Sequence, residues 1–249
     1  MSDLGDHIEA LRRDPTSTEA ARQVREGARA DGALREYADA FAERGRALAA
    51  AGHREEAEGS LIEAALVYEE ELDDLGSGVE LYRAVLDLDP AHRRALIALG
   101  LLLHDLGRFE DLAALYRWRL ERSSDDGERT TLYLYLAEIL AERLGDENKA
   151  FEEVMKAAML APQNIRIITR LERLGDRAGR LSEVAVVIGD LIMHQEDPRV
   201  RAGLTLRLAD LYMGPLGDTQ RAVAYYRSAL ADDGADPEHR EEEAVPARA

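Results

Sequence analysis

The strongest constraint on this chain is an internal repeat with a period of 72 residues. One block occurs three times without a gap, at 64–78, 136–150 and 208–222. A second block follows the same spacing, at 34–49, 106–121 and 178–193. Self-similarity at a fixed period indicates units that cannot bury a core alone and must stack on their neighbours. We therefore expect a stacked repeat array.

Each 72-residue unit is predicted to contain four helices. In the second unit, apolar residues recur at steps of three and four, which is typical of amphipathic helices. The predicted helices there cover roughly 107–122, 128–144, 147–160 and 163–176. No run of β-branched residues alternates with period two for more than a few positions, so no strands are expected. Short loops make neighbouring helices antiparallel, giving two hairpins per unit.

The hairpins resemble the tetratricopeptide repeat, in which a bulky–x₂–bulky–small helix is followed by an Ala–x₃–aromatic–x₂–Ala–Leu helix. The matching segments are Leu96-x₂-Leu99-Gly100-x₂-Leu103, Tyr133-x₂-Leu136-Ala137-x₂-Leu140 and Ala222-x₃-Tyr226-x₂-Ala229-Leu230. The resemblance spans about 16–232 and implies an all-α fold, an α-α superhelical solenoid of about six hairpins in 72-residue double repeats. Gly175 departs from the pattern, so we expect it to interrupt its helix and loosen the hairpin at 163–194.

Three regions are expected along the chain. Residues 1–15 are predicted to form an N-terminal helix or cap, and 16–232 the repeat array. Residues 233–249 are acidic and lack apolar periodicity, so they are predicted to be disordered.

The net charge of −18 argues against a nucleic-acid partner, because phosphate binding needs a basic surface. The charge is local: 55–80 contains ten acidic residues without Lys or Arg, and 232–243 has a net charge of −6. The first of these segments is interpreted either as a solvated helix face or as a docking surface for a basic partner.

The resemblance implies a protein-interaction scaffold, in which the first helix of each hairpin lines a concave groove for a partner segment. Carried onto this chain, the candidate groove residues are Arg94, Ile97, Leu101, His104, Leu134, Glu138, Arg166, Arg170, Arg173, Leu206 and Asp210. Three- and four-residue spacing places Arg166, Arg170 and Arg173 on one helix face. They could bind an acidic segment or a carboxylate, or form salt bridges with Glu138, Glu142 or Asp210.

Motifs for catalysis, metal binding and cofactor binding are not found. The chain has no cysteine, none of its six histidines has metal-ligand spacing, and neither a P-loop nor a G-x-S-x-G motif occurs. We therefore expect no enzyme activity, no metal and no cofactor. No signal peptide and no apolar run long enough to insert in a membrane are found, so the cytoplasm is the expected compartment.

Three functions remain open. The leading hypothesis is an adaptor that binds an unidentified protein or peptide. The alternatives are a self-assembling structural protein, whose array ends form homo-oligomers, and a regulatory module that binds a small anionic ligand.

Overall fold

The computed structural model describes residues 4–233, and all regular structure within that range is helical. The thirteen α-helices of this range are α1 Leu4–Arg13, α2 Thr18–Asp31, α3 Leu34–Ala50, α4 Arg54–Leu66, α5 Leu75–Leu88, α6 Arg93–Asp105, α7 Phe109–Leu120, α8 Asp126–Glu142, α9 Glu147–Leu160, α10 Ile165–Arg177, α11 Leu181–His194, α12 Pro198–Met213 and α13 Thr219–Asp233. A π-helical turn, Val67–Glu71, extends α4. The predicted all-α fold class is confirmed. The acidic tail predicted at 233–249 lies, apart from residue 233, outside the described residues.

The described residues form two compact units, one ending at Leu112 and the other beginning at Ala113. In the first unit, α3 packs on α4, α4 on α5, and α5 on α6. In the second, α8 packs on α9, α9 on α10, α11 on α12, and α12 on α13. Within each unit, packing therefore joins helices that are neighbours in the chain, as in a repeat array. No helix among the described residues is long and apolar enough to cross a membrane.

The same turn recurs at intervals of 72 residues, after α4, α8 and α12. Its central residue has a positive φ in each copy, 50° at Asp73, 68° at Gly145 and 67° at Gly217. The following aspartate accepts a backbone N–H three residues later, from Ser77, Lys149 and Arg221 respectively. A left-handed residue ends one helix and an aspartate caps the next, so the antiparallel hairpin follows from two adjacent residues.

The expectation for Gly175 is wrong. Helix α10 runs through this residue without a break, and Gly175 is buried. A β-carbon at this position would overlap Val184 Cγ2 and lie 3.2 Å from Phe151 Cε2. The missing side chain therefore allows α10 to approach α9 and α11 closely, and the hairpin is tightly packed at this point.

Candidate partner-binding surface

The eleven predicted groove residues lie on the alternate helices α6, α8, α10 and α12. Those on α6 belong to the first unit, and those on the other three helices belong to the second.

Helix α6 exposes an apolar pair flanked by two basic side chains. Ile97 and Leu101 are 53% and 60% exposed. Arg94 lies one turn before this pair and has no ion pair among the described residues. His104 lies one turn after it, with Nδ1 3.3 Å from Asp105 and its ring edge-on to Phe109. This face has the residue types that protein interfaces use, with apolar groups at the centre and charged groups at the rim.

Helices α8 and α12 contribute one apolar and one acidic residue each to the second unit. Leu134 is half-buried and Glu138 is exposed on α8. On α12, Leu206 is 44% exposed. Asp210 is exposed and accepts a hydrogen bond of 2.6 Å from the hydroxyl of Tyr226.

Helix α10 carries the residues that we call the arginine face, Arg166, Arg170 and Arg173. Arg166 and Arg173 are exposed, and their side chains form no hydrogen bond or ion pair within residues 4–233. Arg170 is more enclosed, with 24% of its side chain exposed, and its Nη2 lies 3.9 Å from Glu138 Oε2. Its Nε is buried without an acceptor in the part of the chain that the structure describes. Burial, which removes the guanidinium from water, lowers the pKa of Arg170 below its ordinary value.

The alternative interpretation of this face was that its arginines form salt bridges within the protein. Only one such approach is found for the arginine face among the described residues. Arg170 and Glu138 approach each other, but at a separation too long for a hydrogen bond. Glu142 is paired with Arg177 instead, at 3.5 Å, and Asp210 is bound by Tyr226. Arg166 and Arg173 therefore keep their guanidinium N–H donors available to a ligand, and each guanidinium has five of them.

The acidic segment at 55–80 is only partly a solvated face. Glu63 receives two hydrogen bonds from Arg25, at 2.6 and 2.8 Å, and one from the hydroxyl of Tyr37. Burial opposes the ionisation of Glu63, but these hydrogen bonds outweigh it and hold its pKa below the ordinary value. Burial, together with the hydrogen bond to Glu63, raises the pKa of Tyr37 to about 12. This carboxylate therefore links α2, α3 and α4, and is not available to a basic partner.

Further acidic side chains of the segment are also engaged within the first unit. Glu58 pairs with Arg54 at 2.9 Å, and the hydroxyl of Tyr82 donates to Glu69 at 3.0 Å. Glu80 is exposed and pairs with Arg83 at 3.4 Å. The other exposed carboxylates of the segment belong to Glu55, Glu56, Glu70, Glu71 and Asp73.

One exposed surface was not singled out from the sequence, namely the outer face of α13. Val223 is 38% exposed and Leu230 is 71% exposed. The 72-residue alignment contains the signal, because the equivalent residues of α5 and α9 are apolar as well.

A family model described as tetratricopeptide repeat matches two segments, 95–130 and 204–238. The first begins in α6 and includes α7, and the second begins in α12 and includes α13, so both cover the kind of hairpin seen in the structure. In these two segments the chain matches the tetratricopeptide repeat family. No curated protein matches the chain.

Solved structures similar to this chain share little sequence with it. MamA from Desulfovibrio magneticus is 16% identical, with 78% of this chain and 100% of MamA covered and a TM-score of 0.36. A protein from Thermus thermophilus, described as a thermophilic TPR protein, is 17% identical, with coverages of 74% and 96% and a TM-score of 0.33. YrrB, described as a TPR protein with an unusual peptide-binding site, is 14% identical, with coverages of 74% and 91% and a TM-score of 0.37. At these low values the likeness carries no information on function.

Proposed function

We propose that the protein is a non-enzymatic adaptor, and that its second unit binds an acidic segment of a partner protein through the arginine face. Tetratricopeptide repeat proteins are generally non-catalytic scaffolds, which is consistent with this class of function. The observation that carries the proposal is the set of three guanidinium groups on one face of α10 without internal hydrogen bonds.

The cost of enclosing Arg170 supports an anionic partner. About three-quarters of its side chain is enclosed, yet its nearest carboxylate oxygen is 3.9 Å away. A ligand carboxylate that approaches the open side of this guanidinium would stabilise its charge. Arg166 and Arg173, one turn to either side, would hold neighbouring carboxylates and set the register of the bound segment.

An exposed apolar residue on α12 indicates that the bound segment should also carry apolar side chains. Leu206 on α12 is exposed in the same unit. Interfaces derive affinity mainly from buried apolar anchors, while charged pairs determine specificity and association rate. The preferred ligand is therefore an acidic segment with apolar side chains interspersed.

The test uses fluorescently labelled peptides in which Glu and Leu residues are mixed, with Lys–Leu peptides of the same length for comparison. The binding variant is Arg166→Glu/Arg173→Glu, which leaves the enclosed Arg170 in place. The control variant is Arg46→Glu/Arg117→Glu, because Arg46 and Arg117 are exposed and have no ion pair among the described residues.

We expect wild type and control to bind the acidic peptide equally and the binding variant to lose about tenfold or more in affinity, with weaker binding at high salt. Equal binding by the two variants would refute the assignment. Displacement of the peptide by millimolar phosphate alone would instead favour a module that binds small anions.

A further inference from the structure

Helices α5, α9 and α13 occupy the same position in the three 72-residue repeats, but their outer faces differ in burial. The column of Val79, Phe151 and Val223 is 0%, 0% and 38% exposed. The column of Leu86, Ala158 and Leu230 is 5%, 0% and 71% exposed. The difference is confined to this face: Ala222 and Ala229, which face α12, are 0% and 2% exposed, like their equivalents in α9.

The structure shows what covers the outer face in the two earlier repeats. Helix α6 packs on α5, and α10 packs on α9. In the second repeat, Phe151 of the outer face lies against Gly175 of α10, where a β-carbon would be 3.2 Å from Phe151 Cε2. Each outer face is therefore covered by the first helix of the following hairpin.

The two covering helices share one pattern of buried residues. In α6 it comprises Ala95, Leu99, Leu102 and Leu103, and in α10 it comprises Ile167, Leu171, Leu174 and Gly175, beside which Ile168 is also buried. Both sets follow the spacing i, i+4, i+7 and i+8, which places them on one side of a helix. A helix that covers α13 needs the same apolar stripe.

The sequence 234–249 lacks this apolar stripe. The sequence 234–249, GADPEHREEEAVPARA, contains two prolines and no Leu, Ile, Phe or Met. It contains five Asp and Glu residues. The matching helices within residues 4–233 are already packed in their own hairpins.

A charged residue on the outer face of α13 indicates which charge a covering helix should carry. Arg227 is exposed and has no ion pair among residues 4–233. Its equivalent in the first repeat, Arg83, binds Asp111 at 3.0 Å, a residue of the hairpin that covers α5. An acidic residue beside the apolar stripe would meet Arg227 in the same way.

We propose that the outer face of α13, formed by Val223, Arg227 and Leu230, is a docking site for an amphipathic helix of a partner protein, with apolar residues at i, i+4, i+7 and i+8 and an adjacent carboxylate. The site lies on the opposite helix of the hairpin from the groove residues of α12, so it goes beyond the proposed adaptor function. The bound helix continues the packing that α6 and α10 provide within the chain.

The probe is a labelled peptide with the sequence of residues 163–178, because this segment contains the α10 stripe. Isolated helices of this length are marginal in water, so the peptide is stapled between positions 169 and 173, which are exposed in α10. The control peptide carries glutamate in place of Leu171 and Leu174.

The protein variants are Leu230→Glu and, as a second one, Val223→Glu. The matched control is Met193→Glu, because Met193 on α11 is an 82% exposed apolar side chain outside this face. Since all three side chains are exposed, the variants should keep the wild-type melting midpoint.

We expect the probe to bind wild type and Met193→Glu with equal affinity. The α13 variants should lose about tenfold or more in affinity, in line with the loss of one buried apolar contact. The control peptide should not bind. Equal affinity for Leu230→Glu, or failure of the probe to bind wild type, would overturn the proposal.

Light scattering on the full chain decides between a partner helix and a second copy. A monomer is expected. A dimer that Leu230→Glu dissociates would show that a second copy of the chain occupies the face, and would overturn the assignment to a partner helix.

Discussion

At Gly175, the absence of a side chain sets the distance between three helices. The sequence suggested a weak point in α10, because glycine is a poor helix former. The opposite outcome has a steric cause that only the folded chain reveals: Val184 and Phe151 occupy the space that a β-carbon would need. Close approach is a tertiary property, so local helix propensity could not predict it.

We predict that Gly175→Ala destabilises the protein by about 1–3 kcal/mol, because the added methyl forces Val184 or the backbone to move. The matched control is Gly189→Ala on α11, where a β-carbon would meet nothing within 4 Å. That change should be neutral or slightly stabilising, since alanine favours a helix. Urea midpoints measure both. A Gly175→Ala protein as stable as wild type would show that the packing is loose after all.

The carboxylate of Glu63 gives a second prediction at this scale, on pH dependence. Its pKa is lower in the folded chain than in the unfolded chain, so its stabilisation is complete above the unfolded value and is lost as the pH falls through the folded one. Glu63→Gln should therefore be less stable than wild type at pH 7. This difference should begin to shrink as the pH falls to about 4, and should disappear only below the lowered pKa of the folded chain.

The control for that experiment is Glu70→Gln, because Glu70 is exposed on the π-helical turn that extends the same helix. Its stability should follow that of wild type across the pH range. A Glu63→Gln deficit that stays constant down to acid pH would exclude the ionised network with Arg25 and Tyr37 as its cause.

The turns that join the helices also repeat every 72 residues. In all three copies a residue with positive φ is followed by a capping aspartate. The helix predicted at 147–160 from the sequence coincides with α9. In the first copy Asp73 takes the place of glycine, because aspartate tolerates this backbone conformation better than most residues.

We predict that Asp74→Ala destabilises the first unit by about 1 kcal/mol, because α5 loses the acceptor for its first free N–H groups. Asp74→Asn keeps an acceptor oxygen and should cost much less. Thermal melting of both variants makes the comparison. If both variants lost the same stability, the effect would come from the ion pair between Asp74 and Arg35 rather than from the cap.

The site was only partly predictable at the scale of helices. The pattern placed Arg166, Arg170 and Arg173 on one face of α10, which the helix geometry reproduces. It could not show that Glu142 and Asp210 are occupied by Arg177 and Tyr226. Those partners depend on which side chains meet between helices, and a single sequence does not specify these meetings.

For the whole molecule, the fold class followed from the period, while the functional surfaces depended on exposure. The repeat required stacked hairpins, and within each unit these are present. The same repeat then makes α13 informative, since the residues of its outer face are buried at the equivalent positions of α5 and α9. A sequence alone cannot distinguish a covered apolar face from an uncovered one.

The central claim, that the protein is an adaptor using its arginine face, is tested most directly by quantitative affinity capture from source-cell lysate. Wild type, Arg166→Glu/Arg173→Glu and Arg46→Glu/Arg117→Glu are compared at low and high salt by mass spectrometry. The account predicts a set of partners that wild type and control retain, that high salt weakens, and that the arginine-face variant loses. Retention of the same partners by the arginine-face variant would contradict it.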